Sequence, residues 1–461
     1  MTKIDAVLNR IDADLEKSIE RWFDLLRVRS ISTDPAYADE CIKAADWLVT
    51  QLTEIGFEAS RRDTPGHPMV IAHNHDADDQ APHVLFYGHY DVQPVDPVEL
   101  WNTPPFEPEF REVNGIRQVF ARGAADDKGQ LLTFLEACRA YLEEHETLPL
   151  RITMLFEGEE ESGSPSLDTF LKANADELKA DFALVCDTNM YDAETPAIDT
   201  MLRGMVYEEV IVTAASRDLH SGLYGGAAQN PIRVLTRILA DLHDDEGRIT
   251  LPNFYDGVSE LAPDIAESWD ALNFDADAFL GAVGLSKPAG ETDYPALQQL
   301  WSRPTCDING IIGGYTGAGA KTVIASKASA KVSFRLVGDQ DPKAIQAAFR
   351  AYVKDRLPED CSVEFVGYGN DRAFSLPLDM PEIAKAQQAL TEEWDKQAVL
   401  MGMGGSIPIV GEFQRVLGMD TLLIGFGLDD DSIHSPNEKY NLTSFHKGIR
   451  SWARVMEALA K

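Results

Sequence analysis

Four short apolar runs constrain this chain most: HVLFY at 83–87, RITMLF at 151–156, FALV at 182–185 and TLLIGF at 421–426. Each ends at, or shortly before, a His, Asp or Glu. Runs of this length, rich in Val, Ile, Leu and Phe, read as strands buried under helices, and helical patterns at 40–55 and 131–144 supply the covering layers. The fold class that follows is α/β, with a central sheet flanked by helices. In open α/β sheets ligands bind beyond the carboxyl ends of the strands, so four runs that each deliver a metal-type side chain there point to one shared site. Any one of these residues is more often an ordinary polar loop residue; only the set carries the inference.

With 461 residues the chain is too long for one core, and domains of about 100–200 residues make two the natural number. Residues 1–202 carry the α/β pattern. Between 203 and 372 the texture changes: 207–214 and 330–337 alternate as strands, while 230–243 and 342–356 read as helices. This is an inserted α+β unit, after which 373–461 returns to the first domain. The stretch 252–301, full of Pro, Gly and acids, yields no clear elements.

The 41 Lys and Arg against 76 Asp and Glu give a net charge of −35, which repels a phosphate backbone and excludes nucleic acid as a partner. Most of that excess reads as solvated surface. Five scattered cysteines without a CxxC spacing predict reduced, mostly buried thiols. The first residues lack a continuous apolar h-region, and no run approaches the roughly 18 apolar residues of a membrane span, so a cytoplasmic protein with no membrane partner is expected.

Chemistry concentrates in a few motifs. In GHYDVQP (88–94), His89 offers one ring nitrogen to a metal and Asp91 can hold the other, fixing the tautomer. In RGAADDKG (122–129), small residues permit close backbone approach and a carboxylate could bridge two cations; helix capping by Asp126 or Asp127 is the plainer alternative. FEGEEESG (156–163) places acids directly after a buried strand, where one Glu can ligate while its neighbour acts as general base. Asp187 and His434 add a further carboxylate and imidazole. Two imidazoles and three carboxylates balance two divalent cations with about one positive charge left for a hydroxide. A mixed imidazole and carboxylate shell favours Zn2+, with Mn2+ or Co2+ as alternatives.

The order HxD, ADDKG, a Glu pair, Asp and a late HSPNE resembles the M20 metallopeptidases. GHYDVQP, RGAADDKG, FEGEEESGS, SRDLHSG and HSPNEKYN look most like their cytosolic dipeptidase branch, related to carnosinases. Carried over by motif, the resemblance makes His89, Asp126, Glu161, Asp187 and His434 the metal ligands, with Asp126 bridging. Glu160 becomes the general base, Asp91 the orienter of His89, and Glu159 has no catalytic role. It also implies a cis peptide between Asp126 and Asp127. The inserted unit then resembles a lid and dimerisation domain, so a homodimer with shared active sites is expected, His220 and Thr322 reaching the neighbouring subunit. Arg335 and Ser406 match positions that receive the substrate's free carboxylate. One departure stands out: where carnosinase-like members have His-Pro-His, this chain has Leu376-Pro377-Leu378. The expected reaction is hydrolysis of dipeptides. An N-acyl amino acid amidohydrolase using the same site is the alternative, and a non-catalytic scaffold is a third reading.

Overall fold

The computed structural model describes residues 3–405 and 407–461. The chain forms two compact units: Met1–Thr200 with Leu376–Met401 and Pro408–Lys461, and Met201–Ser375 with Gly402–Ile407.

The first unit is built on a mixed sheet whose strands run in the order Glu58–Arg62, Met69–Asn74, Arg151–Glu157, His83–His89, Phe182–Val185, Thr421–Leu423 and Ala197–Leu202. The four apolar runs are its centre. Arg151–Glu157, His83–His89, Phe182–Val185 and Thr421–Leu423 lie side by side and parallel, with His89 paired to Glu157, Val84 to Phe182 and Thr421 to Ala183. Parallel strands share a direction, so their carboxyl ends open along one edge. The last strand stops at Leu423, shorter than the apolar run suggests. A Cβ on Gly425 would stand 2.0 Å from the Thr188 carbonyl, and the Phe426 N–H is taken by the Gln130 side chain at 2.6 Å, so the chain leaves the ladder there.

One helix, Lys128–His145, is buried on every side from Lys128 to Cys138, because it lies between the His83–His89 strand and the helices Lys3–Leu26 and Leu442–Leu459. Phe134 carries that sandwich, stacked on Phe86 at 3.8 Å between ring centroids and edge-on to Trp452 at 5.2 Å. Ala38–Glu54 packs on Glu58–Arg62 and Met69–Asn74, and Pro381–Trp394 on Leu442–Leu459. A small ribbon of Lys439–Asn441, Ile116–Phe120 and Glu109–Val113 ties the C-terminal segment to the loop that follows Phe120.

The second unit is an antiparallel sheet in the order Thr305–Gly313, Lys327–Leu336, Gly204–Thr213 and Ser362–Asp371, packed by the helices Pro231–Ala240 and Pro342–Asp355. Burial alternates residue by residue along Gly204–Thr213, as one covered face requires. The stretch that gave no clear elements contains three short helices, Pro263–Asp270, Ala276–Gly281 and Ala296–Trp301. Ile265, Trp269 and Leu297 close a small core there. All five cysteines are free thiols, four of them buried. No helix among the described residues is long and apolar enough to cross a membrane.

Candidate metal centre

The carboxyl edge of the parallel strands gathers all five residues expected to ligate metal, and it does so in two groups that share one member. His89, Asp126 and Asp187 form one; Asp126, Glu161 and His434 form the other. Asp126 divides its oxygens between them. Oδ1 lies 3.1 Å from His89 Nε2 and Oδ2 lies 2.9 Å from His434 Nε2. Asp187 Oδ2 is 3.7 Å from His89 Nε2, and Glu161 Oε2 is 3.3 Å from His434 Nε2. Two donors held at about 2.0–2.2 Å by one tetrahedral zinc sit roughly 3.4 Å apart, within the 2.9–3.7 Å that separates the ring nitrogens from the carboxylate oxygens here. His89 Nε2 is buried and has no hydrogen-bond partner among the described residues although two carboxylate oxygens face it. A buried ring nitrogen left in that state fits a metal ligand better than a structural imidazole.

Three of the candidate ligands, His89, Glu161 and Asp126, are held by neighbours. His89 Nδ1 is 3.2 Å from the Asp91 carbonyl and 3.4 Å from its Oδ1, as an orienting carboxylate requires. Asp91 does a second job: its two oxygens accept the backbone N–H groups of Glu160 at 3.3 Å and Glu161 at 3.0 Å, fixing the turn that presents the Glu pair. Gln93 Nε2 donates to Glu161 Oε2 at 2.7 Å. Glu159 is buried, and its two oxygens accept from the backbone of His67 and Ser166, so it pins the loop. The peptide between Asp126 and Asp127 is cis. Neither acid caps the helix that follows: Asp127 occupies the capping position without a side-chain capping bond, and its Oδ2 accepts the His89 N–H at 3.0 Å instead.

Sequence reasoning missed the residue that holds Asp126. Glu438, fully buried, accepts from Gly123 N at 2.9 Å, Ala125 N at 2.9 Å, Asp126 N at 3.1 Å and Arg122 Nη1 at 2.8 Å. The signal was present in HSPNEKYN, whose final acid lies four residues past His434, but an acid in a polar motif gives no hint of which way it turns. Lys128 is the other unforeseen residue. Buried beside Asp127, it donates to the carbonyls of Leu25 and Val28, and burial brings it down to about 7.

The electrostatics follow from crowding acids with two imidazoles. Burial pushes Asp187 up to about 7, with Asp126 adding negative charge. Burial likewise takes Glu160 well above the usual carboxylate range; His89 opposes this, while Asp187, Glu161 and Asp126 reinforce it. His434 is held at about 10 by its hydrogen bonds to Asp126 and Glu161. Burial works against charge on His89 and on Asp126. Asp126 and Asp91 nevertheless raise His89, and the two imidazoles hold Asp126 far below its ordinary value. Such a set is suited to divalent cations, which would replace the protons on the rings and relieve repulsion among the carboxylates.

His220, Thr322 and Arg335 lie in the second unit. His220 and Thr322 are neighbours on a short ribbon, where Leu219–His220 pairs with Val323–Ile324 and Ser221 N donates to the Thr322 carbonyl at 3.0 Å. His220 is exposed, and its Nδ1 accepts the Gly222 N–H at 3.0 Å, which leaves the neutral ring with its proton on Nε2. Arg335 is half-buried in Lys327–Leu336, between Thr305 and Met205. Leu376 is buried, its N–H extending the ladder to the Thr200 carbonyl, while Leu378 is exposed. Ser406 lies outside the described residues.

Known proteins resemble this chain over most of its length. The sequence profile of peptidase family M20/M25/M40 matches residues 85–458. The chain is 30% identical to Cys-Gly metallodipeptidase dug1 of Schizosaccharomyces pombe over 471 aligned positions, covering 99% of this chain and 98% of that protein. It is also 30% identical to human Beta-Ala-His dipeptidase, covering 86% and 78%. Among solved structures, human carnosine dipeptidase 1 superposes with a TM-score of 0.86 at 26% identity, covering 100% of this chain and 99% of that one. The di-peptidase Dug1p of Saccharomyces cerevisiae does so with a TM-score of 0.85 at 26% identity, with the same coverage.

Proposed function

We propose that this chain, which belongs to peptidase family M20/M25/M40 and is a metal-dependent peptide hydrolase, is a dipeptidase that works with two divalent cations, Zn2+ first and Mn2+ or Co2+ as alternatives. The observation that carries the reading is Asp126, whose two oxygens face different imidazoles at 3.1 and 2.9 Å. In it, His89, Asp126 and Asp187 hold one cation and Asp126, Glu161 and His434 the other. Bound there, the cations would polarise the scissile carbonyl and make a water acidic near neutral pH. Glu160, presented by the turn that Asp91 fixes, takes the proton from the attacking water and passes it to the leaving amine. Asp91 keeps His89 in one tautomer throughout.

His220, with its proton on Nε2, is the donor for the carbonyl oxygen. In this reading a second copy of the chain supplies it with Thr322, so the working form is a homodimer. Arg335 and Ser406 receive the free carboxylate of the substrate. Related proteins whose names specify Cys-Gly and Beta-Ala-His dipeptides support a dipeptide rather than an N-acyl amino acid as substrate. Five free thiols suit a reducing compartment such as the cytoplasm.

The test is a panel of unblocked dipeptides and N-acetylated amino acids, assayed on protein stripped with chelator and reloaded with zinc, manganese or cobalt. Hydrolysis of dipeptides that returns with metal and is absent on the acetylated set is expected. Faster cleavage of the acetylated set overturns the substrate assignment, and turnover by the stripped protein overturns the metal mechanism.

A further inference from the structure

Arg203 is a half-buried cation with no ion pair among the described residues. Burial alternates without a break from Met201 to Thr213, so Arg203 shares a face with Met205 and Tyr207. Met205 is paired directly with Arg335 in the adjoining strand, which makes Arg203 and Arg335 diagonal neighbours, a spacing that long side chains can bridge. The Arg335 guanidinium acts on Arg203. Burial lowers both, and Arg335 lowers Arg203 further, to about 10, with Asp307 working the opposite way. Asp307 is itself engaged by Thr305, whose Oγ1 lies 3.2 Å from Asp307 Oδ2.

The hydrogen bonds of Arg203 go to backbone carbonyls: Nε to Gly404 at 2.8 Å and Nη1 to Arg303 at 3.5 Å. Among the described residues no carboxylate lies within ion-pair distance of it. That is unusual in a chain with 76 acids and 41 Lys and Arg. The two fully buried arginines each have one: Arg122 has Glu438 and Arg303 has Glu291. Gly404 is part of the arrangement, since a Cβ there would stand 2.9 Å from Arg203 Nη2 and 3.1 Å from the Leu300 carbonyl. Neutral carbonyls thus brace the guanidinium in place without cancelling its charge. An arginine kept in this state, diagonal to Arg335, calls for an anion that arrives with the substrate, and a planar carboxylate matches its forked donors.

We infer that Arg203 is a second cationic determinant of substrate binding, acting with Arg335 on the free carboxylate at the C-terminal end of the dipeptide. This rests on the dipeptidase reading above. The test uses the metal-loaded, full-length protein and a matched pair of substrates, one dipeptide and its C-terminal amide, for the wild type, Arg203→Lys and Arg203→Ala. Loss of a charge-assisted bond should raise KM for the acid by about 10- to 100-fold in Arg203→Ala. The preference for acid over amide in kcat/KM should collapse by the same factor, Arg203→Lys should keep part of it, and metal content should stay constant. Equal losses on acid and amide would mean that Arg203 only braces the 404–405 loop, and would overturn the inference. Should Arg203→Ala not fold, the acid-to-amide ratio of Arg203→Lys decides, an unchanged ratio being the refuting result. A wild type that cleaves neither substrate refutes the dipeptidase reading instead.

Discussion

Replacing Glu438 with Gln isolates the residue that positions the shared carboxylate. The change keeps the shape and turns one acceptor oxygen into an NH2 group. Glu438 Oε2 serves Gly123 N and Arg122 Nη1, and Oε1 serves Ala125 N and Asp126 N, all at 2.8–3.1 Å in a fully buried setting. Whichever way the amide turns, two donors lose their acceptor, at about 1–3 kcal/mol for each orphaned group. The Arg122 charge loses its partner as well, which places the total near the 3–5 kcal/mol of a broken buried ion pair. Because these bonds set the backbone of Asp126, metal affinity should fall with stability, by about the 10- to 100-fold seen when a group supporting a metal ligand is removed. Competition against a chromophoric zinc chelator reads the first effect and a thermal melt of the metal-free protein the second. Glu136→Gln is the control. It also breaks a buried cluster, with Ser18 Oγ at 2.7 Å and Arg21 Nε at 2.7 Å, but none of its partners belongs to the metal centre. The control should lower the melting temperature and leave zinc affinity intact. If Glu438→Gln loses stability yet binds zinc like the wild type, Glu438 does not position Asp126 and the reasoning fails.

Other outcomes follow from the same geometry. Glu160→Gln should lower turnover by about 10²- to 10⁴-fold, the usual share of a general base, while metal stoichiometry stays unchanged; undiminished turnover would remove Glu160 from that role. Gly129→Ala places a Cβ 1.9 Å from the Ala124 carbonyl. It should therefore destabilise the protein by at least the roughly 1–3 kcal/mol of an overpacked site, and an unchanged melting curve would contradict that contact. In the metal-free protein His434 has its value raised from 6.5 to about 10, so its pairing with Asp126 and Glu161 contributes stability in full below pH 6.5, and that stability is lost as pH rises towards 10. The gap in melting temperature between wild type and His434→Ala should narrow over that interval, and a gap that widens with pH would reverse the assignment. For the same reason zinc loading at pH 7 should release protons, detected by calorimetry in buffers of different ionisation enthalpy; no release would mean the rings are already neutral.

The central sheet was legible because strands buried on both faces must be largely apolar, and residues 83–87, 151–156 and 182–185 are, apart from His83 and Arg151 at their starts and Thr153. The end of the fourth strand was not, since it depends on Gly425 meeting the Thr188 backbone and on Gln130 reaching Phe426, contacts between segments far apart in sequence. The helices Pro263–Asp270, Ala276–Gly281 and Ala296–Trp301 escaped notice because they are too short for a 3.6-residue period to repeat. At the centre itself, His89, Asp126, Glu161, Asp187 and His434 are named by their motifs, and the structure gathers them. What the motifs conceal is the division of labour inside them. Asp127 and Glu438 look as fit to ligate as Asp126, and only the surrounding N–H groups decide otherwise.

Those N–H groups show how the motifs depend on one another. Asp91, from the motif that carries His89, grips the backbone of Glu160 and Glu161. Asp127, from the motif that carries Asp126, grips the backbone of His89. Glu438, from the motif that carries His434, grips the backbone of Asp126. Each of these motifs offers one acid or imidazole to the candidate metal centre and a second acid to a neighbouring motif. The backbone of three candidate ligands is thus fixed by charge-assisted bonds from another segment. Two of the three holders, Asp91 and Asp127, lie within two residues of a ligand, so their spacing is constrained as tightly as that of the ligands. Carboxylates brought this close repel, and they stay in place because each holder accepts at least one backbone N–H group while each candidate ligand carboxylate turns an oxygen towards an imidazole. The excess of acids that makes the motifs look redundant in sequence is what makes the arrangement rigid in the folded chain.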